Sequence, residues 1–339
     1  MKAVAVKRYL PIDNPESLLD VDLPRPTPQG RDLLVAVKAI AVNPVDTKVR
    51  APKDTVEDTP RVLGWDAAGI VEAVGADVSG FKVGDKVFYA GDITRPGSNS
   101  EFQLVDERIV GHAPASLAME EAAALPLTAI TAWEALFERL RVSRKAASGK
   151  ASSILIIGGA GGVGSIAIQL AAKVVGLNVI ATASRPESEK WVRELGAQQV
   201  INHFGDMPAQ LKALGVEQVE HVLILNDTDK HFPAAAQIVA PQGTIATIVE
   251  NNGPLDVSLL KAKSAGFFWE FMFTRSMFQT PDMAEQGKLL DEISHLIDQG
   301  VIKTTVSKVL SPINAANLRQ AHADLEGGRV IGKIVLKDF

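Results

Sequence analysis

The sequence predicts an α/β chain in two parts, a β-rich one first and a parallel sheet with crossover helices after it. Two observations carry this. From about residue 153, apolar strand-like runs alternate with helix-like ones, the pattern of a parallel sheet crossed by helices. Before about residue 125, short apolar runs are punctuated by Gly and Pro, as in barrel-like or irregular β structure. A length of 339 residues accommodates about two domains.

Taken in order, 4–9 and a stretch within 32–43 read as strands. Residues 67–74 and 86–89 follow, with Gly75, Gly80 and Gly84 supplying turns. At Met119 the spacing turns helical over MEEAAALPLTAITAWEALFERL, with Pro126 as a boundary or kink. Then come a strand at 154–157, a helix at 162–175, a strand at 179–183 and a helix at 187–195 ended by Gly196. Strands at 199–201, 219–225 and 244–249 continue the alternation. Beyond about 263 the pattern is mixed until a last strand, 330–336, which can return to complete the first domain.

Composition narrows the chemistry. Hydrophobic residues make up 46% and charged residues 22%, an ordinary globular balance, and the net charge of −5 favours neither nucleic acid nor an anionic membrane. There is no cysteine, which removes disulfides, thiolate nucleophiles, iron–sulfur clusters and every cysteine-containing zinc site. This fits a reducing compartment, and the expected location is cytoplasmic. Lys7 and Arg8 interrupt the short apolar pieces at the start, so no signal peptide is predicted. Residues 151–172, between Lys150 and Lys173, are uncharged and long enough to span a bilayer. Glycines at 158, 159, 161, 162 and 164 would break such a helix, so a strand, a glycine turn and a buried helix are predicted.

That turn is the most informative stretch. Gly159, Gly161 and Gly164 match G-x-G-x-x-G between the apolar run ILII and the helical SIAIQLAAKVV. The first glycine permits the tight turn, the second lets a pyrophosphate approach the backbone, and the third lets helix and strand pack closely. Free N–H groups at Gly162, Val163 and Gly164, at the positive end of the helix dipole, suit an anion. An NAD site usually has an Asp or Glu about 20 residues on. Here Ser184 and Arg185 stand there, a hydroxyl and a guanidinium suited to a 2′-phosphate, so NADPH is predicted over NADH. Lys190, a turn into the next helix, is a second candidate contact.

These residues sit in a longer pattern. AVNPVDTKVR (41–50), VLGWDAAGIVEAVG (62–75), FKVGDKVFYAG (81–91), LPLTAITAWEAL (125–136), IIGGAGGVGSIAIQLA (156–171), ATASRPES (181–188) and GKIVL (332–336) together resemble the medium-chain dehydrogenase/reductase superfamily, in its zinc-free quinone oxidoreductase branch. The resemblance implies a GroES-like catalytic domain over 1–126, completed by 264–339, and a Rossmann NADPH-binding domain over 127–263, with an active site in the cleft between them. Zinc-dependent members have a cysteine ligand where this chain has Asn43, and a histidine where it has Trp65 of Gly64-Trp65-Asp66. Asparagine is a poor zinc ligand and tryptophan none. The four-cysteine lobe is missing, and the six histidines, at 112, 203, 221, 231, 295 and 322, include no pair at i, i+4. No metal is therefore expected.

Without zinc, a quinone or an α,β-unsaturated ketone is the fitting acceptor, because it takes hydride without a Lewis acid. The resemblance places Asn43 and Asp46 beside nicotinamide and substrate, makes Thr128 a nicotinamide-side threonine, and brings Lys333 to the cofactor from the returning tail. Asp46 has an equally open reading as a turn cap. Trp65 and the stretch Phe267, Phe268, Trp269, Phe271 and Phe273 could wall an apolar pocket; packing in a core or dimer interface suits most of the stretch better. The family also implies a homodimer, joined through or near 264–275. Neither tyrosine, Tyr9 or Tyr89, begins a Y-x-x-x-K, and there is no G-x-S-x-G or Walker motif. The expected activity is NADPH:quinone oxidoreduction; reduction of 2-alkenals or enones, and non-catalytic NADPH binding, are the alternatives.

Overall fold

A computed structural model describes residues 1–144 and 152–339. Lys150 and residue 151, at the start of the uncharged run, lie outside the described residues. The chain divides into a first unit, Met1–Ile130 with Phe273–Phe339, and a second, Thr131–Met272.

In the first unit, β1 (Lys2–Tyr9) pairs antiparallel with β2 (Leu19–Asp22) on one side. The run DLLVAVKAIA forms the long β3 (Asp32–Ala41), with Leu33, Val35, Val37 and Ala39 in the core. The chain then enters α1 (Pro44–Arg50), where Pro44 takes the first turn and needs no N–H. The next strand, β4 (Lys53–Val62), flanks β1 on its other side. Antiparallel pairing links β3 to β5 (Asp66–Val74), β5 to β6 (Lys86–Tyr89), β3 to β7 (Phe102–Asp106) and β6 to β8 (Val110–His112). A Cβ on Gly69 would stand 2.3 Å from the Ala36 carbonyl oxygen, so β5 lies against β3 only with glycine there. The helical stretch beginning at Met119 is two helices, α2 (Met119–Ala123) and α3 (Pro126–Trp133), with the break just before Pro126. A π-helical segment, Glu134–Arg139, continues α3.

In the second unit, the five residues SILII make the fully buried β9 (Ser153–Ile157). There follow α4 (Gly162–Gln169) with a π-helical extension, β10 (Asn178–Thr182), α5 (Pro186–Leu195), β11 (Gln199–Ile201), α6 (Met207–Ala213), β12 (Val219–Ile224), α7 (Thr228–Ile238) and β13 (Val239–Thr247). The last strand is β14 (Gly266–Trp269). All pairings are parallel, in the order β11-β10-β9-β12-β13-β14. This is the doubly wound 3-2-1-4-5-6 order. Here the sequence boundary needs correcting. Placing 264–339 wholly with the first unit misassigns β14, whose Gly266 to Trp269 pair with Thr244 to Thr247 as the sixth strand. Residues 127–130 conversely belong to the first unit.

The chain returns through α8 (Thr274–Phe278), α9 (Glu285–Asp298), β15 (Val306–Leu310), α10 (Ala315–Glu326) and β16 (Lys333–Lys337). As the sequence suggested, the tail strand completes the first unit: β16 pairs antiparallel with β3, Val335 opposite Ala41. Among the described residues no helix is long and apolar enough to cross a membrane.

Candidate dinucleotide cradle and buried polar cluster

The glycine turn follows β9 directly. Gly158 has φ +87°, a left-handed conformation that favours glycine, and its N–H donates to Thr182 Oγ1 at 2.9 Å. A Cβ on Gly164 would stand 2.6 Å from the carbonyl oxygens of both Gly158 and Gly159, so α4 packs on the turn only with glycine at 164. At Gly161 the nearest atom to a Cβ would be 3.6 Å away. No side chain caps α4. Its first N–H groups, at Gly162, Val163 and Gly164, are those a helix leaves without internal acceptors. Uncovered donors at a positive helix end fit a pyrophosphate. Trp191 Nε1 donates to Ser165 Oγ at 2.8 Å and ties α5 to this helix.

At the end of β10 the chain passes Ser184, which is exposed, and Arg185, which precedes α5. Both line a cavity of about 320 Å³ with Glu189, Asn202 and Gln210. Arg185 Nε lies 3.2 Å from Glu187 Oε1, so a phosphate taken by this guanidinium would replace a carboxylate. Asn202 and Gln210 were not singled out by any motif. Gln210 accepts from Asn202 N–H and donates to its carbonyl, both at 2.8 Å, which fixes the loop after β11. Lys190, the other expected contact, does not line this cavity. Its side chain is 77% exposed and reaches toward Glu194 at 3.8 Å. The helix turns about 100° per residue, so with Glu189 facing the cavity Lys190 is carried past it.

In the first unit, strand pairing assembles a buried polar cluster. Asp66 stands opposite Ala41, and Val42 N–H donates to the Ile334 carbonyl, which sets Lys333 beside Val42 and Asn43. Lys333 is 3% exposed and Asp66 0%. The Lys333 ammonium donates to the Val42 carbonyl at 3.0 Å, to Asp66 Oδ2 at 2.8 Å and to Asn43 Oδ1. Asp66 also accepts from Asn43 Nδ2 at 2.8 Å and from Leu127 N–H at 2.7 Å. Asp46 Oδ2 accepts from Asn43 N–H at 2.6 Å. Burial pushes the Asp46 carboxyl up to about 7; the Asn43 hydrogen bond and then the Lys333 charge hold it lower than burial alone would.

Lys333, expected to reach the cofactor, is the counter-cation of Asp66 in this structure. An ammonium has three donors, and all three are engaged inside the first unit. Asn43, Asp46, Trp65 and Thr128 are all buried. Trp65 packs edge-on to Phe273 with ring centroids 5.8 Å apart, and its indole N–H has no partner among the described residues. Thr128 Oγ1 donates back to the Leu125 carbonyl at 3.0 Å. The aromatic stretch divides: Phe267 packs on Phe232 and Phe273 is buried, whereas Trp269 and Phe271 are 46% and 43% exposed. Among the described residues no group of three or more His, Cys, Asp or Glu could hold a metal ion.

A GroES-like β unit joined to a doubly wound sheet with a phosphate cradle defines a nicotinamide-dependent oxidoreductase. Comparison with known proteins makes the class definite: the chain belongs to the medium-chain dehydrogenase/reductase superfamily. The alcohol dehydrogenase GroES-like domain pattern matches residues 29–128, and that of the zinc-binding dehydrogenases 195–336. A zinc-type alcohol dehydrogenase-like protein of Staphylococcus epidermidis is 43% identical over 336 residues, 99% of each chain. A crystal structure from Rhizobium etli CFN 42, named for the zinc-dependent alcohol dehydrogenases, is 54% identical with a TM-score of 0.95, covering 100% of this chain and 98% of that one. The quinone oxidoreductase of Coxiella burnetii is 27% identical with a TM-score of 0.81, covering 100% and 99%.

Proposed function

We propose that this oxidoreductase uses NADPH to reduce a quinone and does so without zinc. The observation that carries the reading is the pairing of an open glycine cradle with Ser184 and Arg185, rather than a carboxylate, at the end of β10. The N–H groups of Gly162, Val163 and Gly164 would hold the pyrophosphate, and Ser184 and Arg185 the 2′-phosphate. NADPH, when bound, supplies a hydride from its nicotinamide ring.

The zinc-free part rests on this chain's own residues. Where zinc-dependent relatives carry a cysteine and a histidine, Asn43 is engaged by Lys333 and Asp66, and Trp65 packs on Phe273. A quinone is electrophilic enough to take hydride without a Lewis acid, and its reduction needs one proton besides. Asp46, pushed up to about 7, retains a proton through part of the neutral range and is the acid this cluster offers. β14 is the edge strand of its sheet, and Trp269 at its end and Phe271 just beyond it are exposed, which supports a homodimer joined along that edge. A one-chain mass in sedimentation at micromolar concentration would contradict the dimer.

The test of the function is NADPH oxidation with a panel of ortho-quinones, para-quinones and 2-alkenals. Acceleration by quinones supports the reading. Acceleration by alkenals alone reassigns the acceptor, and acceleration by none of them contradicts the enzyme.

A further inference from the structure

A second buried acidic cluster lies in the second unit. Glu134 opens the π-helical segment and is 1% exposed; Glu270 follows β14 and is 2% exposed. Arg139 Nε donates to Glu270 Oε2 at 2.9 Å, and its terminal nitrogen stands 3.9 Å from Glu134 Oε2. The π geometry explains why one guanidinium meets both acids. Residues five apart on an α-helix diverge by about 140°. The i→i+5 geometry brings Glu134 and Arg139 onto one face.

Two carboxyls against one guanidinium leave an excess negative charge unless the pair keeps a proton. Burial first, then the charge of Glu134 and a hydrogen bond to it, push the Glu270 carboxyl up to about 9, with Arg139 pulling the other way. Among the described residues, the charged groups facing Glu270 are Glu134 and Arg139. Glu138 stands 3.9 Å from Arg139, Arg141 lies over the Phe268 ring, and β13 has no ionisable side chain.

The place of Glu270 gives the pair a use. Its N–H donates to the Thr247 carbonyl at 2.9 Å, extending the β13–β14 ladder to the carboxyl end of the sixth strand. In a 3-2-1-4-5-6 sheet the glycine turn and the 2′-phosphate position put the adenosine half over strands 1 to 3, which leaves strands 4 to 6 to the nicotinamide half.

We propose that Glu134 and Glu270 share one proton, and that this protonated pair is a positioning device which holds the carboxyl end of β14 in place for the nicotinamide half of the cofactor. The proposal rests on the NADPH reading above. Loss of the proton sets two buried anions against one guanidinium and drives the end of β14 away from β13.

The experiment is fluorescence titration of NADPH, and competition by 2′,5′-ADP, from pH 7 to pH 10 with wild type, Glu270→Gln and Glu134→Gln. Wild-type affinity for NADPH should fall roughly tenfold between pH 8 and pH 10, as expected for one required proton lost near pH 9. Affinity for 2′,5′-ADP, which has only the adenosine half, should hold across the range. Both glutamine variants should flatten the NADPH curve. Infrared spectra in D2O at neutral pD should show a protonated-carboxyl band that Glu270→Gln removes. Coincident wild-type and variant pH curves, a parallel fall in 2′,5′-ADP affinity, or absence of the band would overturn the proposal. Failure of every variant and the wild type to bind NADPH at any pH would instead overturn the cofactor reading.

Discussion

Replacing Lys333 with methionine separates the two roles open to that residue. The change removes the ammonium and keeps most of the stem. Asp66, 0% exposed, then retains the Leu127 N–H and Asn43 Nδ2 bonds but has no cation. Breaking a buried ion pair by removing one partner costs about 3–5 kcal/mol. The two retained bonds place Asp66 near the lower end, and the acceptors on Asn43 and Val42 each lose a donor worth about 1 kcal/mol. A loss of about 5 kcal/mol follows, which in a unit of about 200 residues lowers Tm by roughly 10–20 °C. Calorimetry on the variant measures this directly. Adding Asp66→Asn should recover at least half of the loss, since the uncompensated charge is gone. NADPH affinity should stay within twofold. A variant that keeps its Tm within about 2 °C of wild type but binds NADPH tenfold more weakly would refute the reasoning and return Lys333 to the cofactor.

Two further substitutions probe the other sites. Arg185→Ala should weaken NADPH by roughly 10- to 100-fold, the worth of a charge-assisted bond to phosphate, and leave NADH almost unchanged; equal losses for both cofactors in fluorescence titration would contradict the 2′-phosphate assignment. For Asp46, burial raises the folded-state carboxyl from 3.8 to about 7. Its contribution to stability is therefore full below about pH 4 and is lost as pH rises through 7, by about 4 kcal/mol in total. Asp46→Asn keeps an acceptor for Asn43 N–H and does not titrate, so its advantage over wild type in urea unfolding should grow from pH 4.5 to pH 8. Parallel pH profiles would show that Asp46 does not titrate as described.

What could be read in the sequence follows from where the side chains lie. β9 is an apolar run bounded by turns and β12 ends on one, Val222 to Ile224, so their identity is local. β4 is different: KDTVEDTPRV is mostly exposed, and pairing with β1 makes it a strand without any apolar signature. Gly266 to Trp269 reads as an aromatic cluster until β13 lies beside it, which is why the domain boundary fell too early. The glycine cradle was legible because a Cβ at Gly164 collides with its own turn. The ion pair of Asp66 and Lys333 was not, because 267 positions separate them and only the pairing of β16 with β3, and β3 with β5, joins them. Glu134 and Glu270 escaped for the same reason.

The central claim, zinc-independent quinone reduction by NADPH, is tested most directly by one steady-state measurement. Protein freed of metal by chelator is given a para-quinone with NADPH or NADH. Undiminished turnover with a clear preference for NADPH is the predicted result. Turnover that disappears on chelation and returns with stoichiometric zinc would contradict it.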